Sequence, residues 1–319
     1  MPATAVPIDS KSLPSLALRR FAWAVLIYFV IVFLGGTLVR ATGAGAGCGD
    51  HWPLCNGTVV QHHPQLDTII ELTHRVMSGF SLFAVLGLMA WTFAGTVRGH
   101  LARAAVTAAV IFTLLEAILG ALLVKLGLTA QSHSPIRPAY LSLHLSNTLL
   151  LLAALTLTAH LLSRRKGYLR GSVRLVAPFG AAIAVFVVMV VGVTGSLAAL
   201  GDTLFPSSSL SVALAQDFSA TSGWLVRWRW MHPTVAILAS IFVIWLVVTA
   251  ARERAHWDNR RLCGLVLALL AVVYMLGVLD VVLLAPLWLQ MAHLLAADTL
   301  WASLVVLTAR LILQPDETS

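Results

Sequence analysis

Residues 21–39 read FAWAVLIYFVIVFLGGTLV, nineteen positions without a charge. At 1.5 Å per residue a helix of that length spans roughly 28 Å, close to the hydrocarbon thickness of a bilayer. The run follows a polar opening that ends in Arg19-Arg20, as a secretory leader would. It is longer than an ordinary leader core, and no small-residue cleavage site precedes polar mature sequence. A true spanning helix is therefore expected. Seven further apolar runs lie near 68–97, 104–126, 139–163, 173–200, 230–251, 262–281 and 286–308. The last two are separated at 280–286, where Pro286 opens a new helix. The pattern predicts an all-α integral membrane protein with eight transmembrane helices.

Composition agrees. The 319 residues are 59% hydrophobic and 11% charged, against about 25% charged in a soluble domain. The net charge of +8 invites a nucleic-acid partner, but its placement excludes one. Of 21 Lys and Arg, 15 fall on alternate connections: Lys11, Arg19 and Arg20 before the first helix, Arg98 and Arg103 after the second, and Arg164, Arg165, Lys166, Arg170 and Arg174 after the fourth. Arg252, Arg254, Arg260 and Arg261 follow the sixth, and Arg310 closes the eighth. This is the positive-inside distribution, which predicts that both termini lie in the cytoplasm. The partner that the charge describes is the lipid bilayer.

The basic stretch 164–174 divides the chain into two four-helix halves, 1–163 and 175–319, expected to be pseudo-symmetric. After the first helix come Thr42-Gly43, Cys48-Gly49-Asp50 and Trp52-Pro53; after the fifth come Thr194-Gly195, Leu200-Gly201-Asp202 and Phe205-Pro206. Two long outer loops, 40–67 and 201–229, each lead into a helix bearing a histidine near its start, His74 or His232. The fourth helix of each half carries another, His144 or His293. Sites in such internally repeated membrane proteins lie between or within the repeats.

Most of the eleven histidines sit in loops or near a membrane face, but these four fall on alternate helices at matching depth. All four helices run from outside to inside, so the histidines share a layer within about 10 Å. Imidazole ligates zinc, copper and haem iron. Zinc takes three or four ligands close together. Two pairs on long apolar helices fit two large flat cofactors, each porphyrin held from opposite faces. The alternative is scattered polar packing between helices.

Glu71 precedes His74 by three residues and shares its helical face. The matching position before His232 is Arg229. A carboxylate beside the first pair can move a proton or stabilise positive charge, and an arginine beside the second is suited to haem propionates. The structural alternative for Glu71 is a partnership with Arg75 or Arg40. Cys48 and Cys55 enclose GDHWPL in the first outer loop, where a bridge can be structural or redox-active. Cys263 reads as an apolar packing residue. Gly35, Gly36, Gly43, Gly45, Gly47 and Gly49 permit tight turns and close backbone approach at the loop base. Glu116, Asp280 and Asp298 have no partner legible in the sequence.

GGTLVRATGAGAGCGDHWPLCNG after the first helix, ELTHR in the second, and the histidines of helices four, six and eight together resemble the heme A synthase family across about residues 20–310. The resemblance implies oxidation of the C8 methyl of heme O to the formyl of heme A, for assembly of terminal oxidases. It implies a haem b cofactor, with its iron on His232 and His293, in the second half. It implies heme O as substrate in the first half near His74 and His144, with Glu71 essential, and a disulfide between Cys48 and Cys55. It further implies a multi-pass protein of the cell's inner (plasma) membrane. Heme O synthase and the assembling oxidase are expected partners, and a homo-oligomer is compatible with the pattern. One departure stands out: the second-half loop, LGDTLFPSS, has Leu200 and Ser208 where some members carry a second cysteine pair. A dihaem electron-transfer cytochrome explains the histidines equally but gives Glu71 and the cysteine loop no role. A repeat-built transporter predicts a site at the midplane instead.

Overall fold

The computed structural model describes residues 14–58, 61–130, 132–164, 173–175, 178–253 and 257–315. The basic residues Lys11, Arg165, Lys166, Arg170 and Arg254, and so most of the stretch 164–174, lie outside them. Eight helices among the described residues are long and apolar enough to cross a membrane, and the chain is a multi-pass membrane protein. Its surface agrees: Phe83 is 71% exposed and Phe186 66%, a display of apolar area that lipid rather than water must cover.

The helices are α1 (Leu16–Thr42), α2 (Leu66–Gly95), α3 (Leu101–Lys125), α4 (Arg137–Leu162), α5 (Pro178–Leu204), α6 (Leu210–Phe218), α7 (Trp224–Arg227), α8 (Met231–Glu253), α9 (Trp257–Val282) and α10 (Leu287–Ile312). Local chemistry sets several ends. Ser15 Oγ accepts from the Leu18 amide to start α1, and Gly43, at φ 72°, ends it in the left-handed conformation that a side chain resists. His100 starts α3 by accepting the Ala102 amide on Nδ1. Burial, with Arg103 beside it, holds that imidazole below its ordinary pKa, so Nδ1 stays an acceptor. Pro286 stands immediately before α10, as the sequence leads one to expect.

Packing centres on α4, which touches α1, α3, α5 and α10. Leu151, Leu152, Leu155 and Leu162 are buried there with Leu18 and Phe29 of α1, Leu88 of α2 and Val106 of α3. In lipid, burying a leucine against another helix gains little over burying it in acyl chains, so close fit and hydrogen bonds decide which helices meet. Trp301 Nε1 of α10 donates to the Leu149 carbonyl of α4 at 2.8 Å. Arg40 of α1 donates to the Ala199 carbonyl (2.9 Å) and Thr203 Oγ1 (2.8 Å) of α5, and to Gln290 Oε1 (2.8 Å) of α10. These bonds join helices of the two sequence halves at two levels. At the opposite end from the long loops, β1 (Val173–Leu175) pairs antiparallel with β2 (Leu313–Pro315).

Two expectations need correction. The fifth helix starts at Pro178 rather than 173, because proline suits the first helical turn. It runs on to Leu204, so Leu200-Gly201-Asp202 lies in helix, unlike Cys48-Gly49-Asp50 after α1. The second long loop is also not irregular: α6 and α7 occupy it. Ser209 Oγ caps α6 by accepting the Val212 amide. That short helix escapes a search for twenty-residue apolar runs.

Candidate haem-binding site

The four singled-out histidines stand at one level. His74 is eight residues past Leu66 and His144 seven past Arg137. His232 is eight past Trp224, where its spanning segment begins, and His293 six past Leu287. All four are half-buried.

Each ring leans on a glycine of the preceding long helix. A Cβ added at Gly36 of α1 would lie 3.2 Å from His74 Cε1, and one at Gly35 would lie 3.3 Å from Nδ1. At Gly195 of α5 it would lie 2.9 Å from His232 Cε1, at Gly277 of α9 3.1 Å from His293 Cε1, and at Gly120 of α3 3.9 Å from His144 Cε1. Glycine therefore lets the imidazole of α8 approach the neighbouring backbone more closely than a Cβ allows, and those of α2 and α10 more closely than a Cβ usually does. The seat of His144 is looser. The sequence reading singled out Gly35 and Gly36 but missed Gly120, Gly195 and Gly277; their signal was a glycine at matching depth on the helix before each histidine.

The structure brings His232 and His293 together, with ring centres 6.4 Å apart and planes 86° apart. Two imidazoles sharing one metal at roughly 2 Å from each nitrogen have centres roughly 6 Å apart. That spacing would suit a single metal ion held between the two imidazoles. His74 and His144 lie within electrostatic range of each other. Nδ1 of His74, His144 and His293 are buried without a hydrogen-bond partner. Among the described residues, no three His, Cys, Asp or Glu side chains cluster as a metal site. The donors thus stand as pairs of imidazoles, the set a porphyrin iron takes.

Glu71 is 3% exposed and fully engaged. Its Oε2 accepts the Cys48 amide at 2.8 Å, and its Oε1 accepts from Arg75 Nε at 3.1 Å and from Arg75 Nη2. Of the two structural partners considered for it, Arg75 is the one found; Arg40 binds α5 and α10 instead. Arg75 Nη1 also donates to the carbonyls of His51 (2.6 Å) and Leu54 (2.8 Å). Those carbonyls lie inside the loop closed by the Cys48–Cys55 disulfide, whose cysteines are buried. Gly47 completes the junction. A Cβ there would lie 2.4 Å from the Asp67 backbone, and its carbonyl accepts from Thr68 Oγ1 at 2.8 Å.

Arg229 occupies the corresponding place before His232 and is 8% exposed. Its guanidinium donates to Asp217 Oδ1 of α6 at 2.8 Å and to Asp202 Oδ1 of α5 at 3.0 Å. Asp202 and Asp217 are partners that the sequence reading did not find. Both halves therefore place a buried charge three residues before a histidine and use it to tie the preceding loop to the bundle, with the sign reversed. Buried ions need such multiple hydrogen bonds to offset desolvation.

Glu116, which had no legible partner, has three. Its carboxylate accepts from Asn147 Nδ2 and Thr148 Oγ1, and His144 Nδ1 lies 3.5 Å from Oε1. The clue was the run His144, Ser146, Asn147, Thr148, four polar residues within about one turn, just before the apolar stretch 149–155.

Residues 19–305 match the family COX15-CtaA, described as cytochrome oxidase assembly protein. The chain belongs to this family. The match takes in all four histidines, Glu71, Arg229 and the cysteine loop. Among curated relatives, a Thermus thermophilus protein named protoheme IX farnesyltransferase is 39% identical over 294 residues, covering 91% of this chain and 48% of that protein. The heme A synthase of Bacillus licheniformis is 31% identical over 259 residues, covering 76% of this chain and 80% of the relative. That of Geobacillus kaustophilus is 29% identical over 291 residues, covering 87% and 86%. The chain thus spans about half the length of the Thermus protein and most of the length of the other two.

Proposed function

We propose that this cytochrome oxidase assembly family member is a heme A synthase, oxidising the C8 methyl of heme O to a formyl group. The observation that carries the reading is the set of four histidines at one depth, each against a glycine, with one pair at the spacing of axial ligands. Similarity to two proteins named heme A synthase gives the substrate class. The Thermus relative, named for farnesylation of protoheme, supports a farnesylated haem as what reaches this unit and heme O synthase as a neighbour in assembly.

In this reading His232 and His293 hold haem b in the second half, and heme O binds in the first half at His74 and His144. Haem b supplies one-electron transfer. In balance, R–CH3 + H2O → R–CHO + 4 H+ + 4 e−, through two hydroxylated stages and loss of water from the gem-diol, with the four electrons passing to an acceptor outside this chain. Glu71, one turn from His74, is the carboxylate that takes a proton or stabilises positive charge beside the substrate. Arg75 and the Cys48 amide orient it. Arg229 holds α5 and α6 around the second-half site, with a haem propionate as a further partner. The glycines admit the rings and exclude competing side chains.

The same reading places both termini in the cytoplasm and the chain in the plasma membrane, with the long loops outside. Extraction of pigment from the purified protein tests the function. Haem b together with heme O, heme A or a hydroxylated intermediate is expected; haem b alone would assign the chain to electron relay. A reporter fused after Ser319 that is active only outside the cytoplasm would overturn the topology.

A further inference from the structure

Glu116 stands at a place in the fold that recurs. His232 leans on Gly195, with Thr194 Oγ1 3.4 Å from its Nδ1, and the residue four before that glycine on α5 is Val191. His293 leans on Gly277, and the residue four earlier on α9 is Val273; Nδ1 of this ring makes no hydrogen bond. His144 leans on Gly120, and the residue four earlier on α3 is Glu116. At this station the second half carries valine beside each imidazole, and the first half offers His144 a side-chain carboxylate at 3.5 Å.

That carboxylate is held in place. Thr148 Oγ1 and Asn147 Nδ2 both donate to it from the turn of α4 that follows His144. Asn147 Nδ2 also donates to the Phe112 carbonyl at 2.9 Å, one turn before Glu116 on α3. The carbonyl of His144 itself lies 2.9 Å from Thr148 Oγ1, a second acceptor for the one hydroxyl proton that Glu116 also draws on. The two donors are neutral, so they position the carboxylate without cancelling its charge. Nδ1 of His144 is buried and makes no hydrogen bond, with Glu116 Oε1 within ion-pair reach at 3.5 Å.

We infer that Glu116 is a positioning residue for His144, accepting its Nδ1–H and turning Nε2 toward the iron of the haem bound in the first half. A carboxylate behind a ligating imidazole fixes its tautomer and orientation and raises its donor strength. His144 is then a stronger donor than His232 and His293, beside which no carboxylate lies among the described residues. The first-half iron is held toward its oxidised state relative to the second. This inference rests on the proposed ligation of haem by His144.

The test uses purified full-length protein from cells supplied with heme O, in which extraction separates farnesylated haem from protohaem. Glu116→Gln keeps the shape and removes the charge; Glu116→Asp keeps the charge and withdraws it from the ring. In both, farnesylated haem is expected to bind roughly 10–100-fold more weakly. The reduction potential of what remains should move in the positive direction, with the protohaem potential unchanged. An unchanged farnesylated-haem potential in both variants, or an equal shift in both haems, overturns the inference and leaves Glu116 as a clamp between α3 and α4. His144→Ala separates the two levels. If it retains full farnesylated haem, the ligand assignment itself fails. If it loses that haem while neither Glu116 variant shifts the potential, only the role of Glu116 fails.

Discussion

The Cys48 amide donates to Glu71 Oε2 at 2.8 Å, so the disulfide loop ends on a carboxylate one helical turn from His74. Arg75 closes the circuit by holding Glu71 Oε1 and the carbonyls of His51 and Leu54 at once. The cysteine loop and the first histidine are thus parts of one hydrogen-bonded unit, although 26 residues separate Cys48 from His74.

Cys48→Ser tests what the bridge does for this unit. It removes the cross-link but not the Cys48 amide, which can still reach Glu71. Closing a loop of this size is worth about 2–3 kcal/mol in chain entropy. The variant should be less stable and yet retain part of its turnover per folded, haem-loaded molecule. Abolished turnover at normal folding and haem content would make the cysteines redox participants.

For Glu71→Gln, retention of both haems and a fall of roughly 10²–10⁴-fold in heme O oxidation are expected, the usual scale for lost acid–base or charge stabilisation. The amide keeps an acceptor for Cys48 and loses the ionic contact to Arg75. The measurement is heme A formed per folded, haem-loaded protein in cells supplied with heme O. A structural role alone would lower folding or haem content in proportion to activity, and near-normal conversion would remove Glu71 from the chemistry.

The glycine seats give a graded prediction. Gly195→Ala places a methyl 2.9 Å from His232 Cε1, inside normal contact, whereas Gly120→Ala places one 3.9 Å from His144 Cε1, at ordinary contact. The first should displace its ring and deplete protohaem; the second should leave farnesylated haem nearly unchanged. Equal losses in extracted pigment would show that the glycines do not seat the rings. Removing the ligands themselves, by His232→Ala or His293→Ala, should deplete protohaem further.

Arg229→Lys should not rescue the arginine. One ammonium lacks the planar fork that reaches Asp202 on α5 and Asp217 on α6 together. The expected result is a lower melting temperature with loss of protohaem before farnesylated haem. A lysine variant with wild-type stability and full protohaem would reduce the pair of aspartates to surface decoration.

Much of the architecture was legible because lipid imposes a simple rule. Backbone groups in a bilayer must be satisfied within the helix, so spans announce themselves as long uncharged runs. The common depth of His74, His144, His232 and His293 followed from counting along those runs, and the sharp stop at Gly43 from its residue type. The cysteine pair and ELTHR lay in contiguous sequence, where a motif is visible without a fold.

What tertiary structure decided was which side chains meet across helices. Glu116 and His144 are 28 residues apart, Gly195 and His232 are 37 apart, and Arg40 reaches Gln290 over 250. In water, a polar stripe against an apolar one shows which face of a helix turns inward. In lipid both faces are apolar, so periodicity does not reveal the rotation of α3 that brings Glu116 and Gly120 to α4. The sequence by itself determined the eight spans and the histidines near their outer starts, because these depend on transfer into lipid residue by residue. The glycine seats, the opposed rings of His232 and His293, and the partners of Glu71, Glu116 and Arg229 were decided only when the helices packed, because they depend on rotation and close approach.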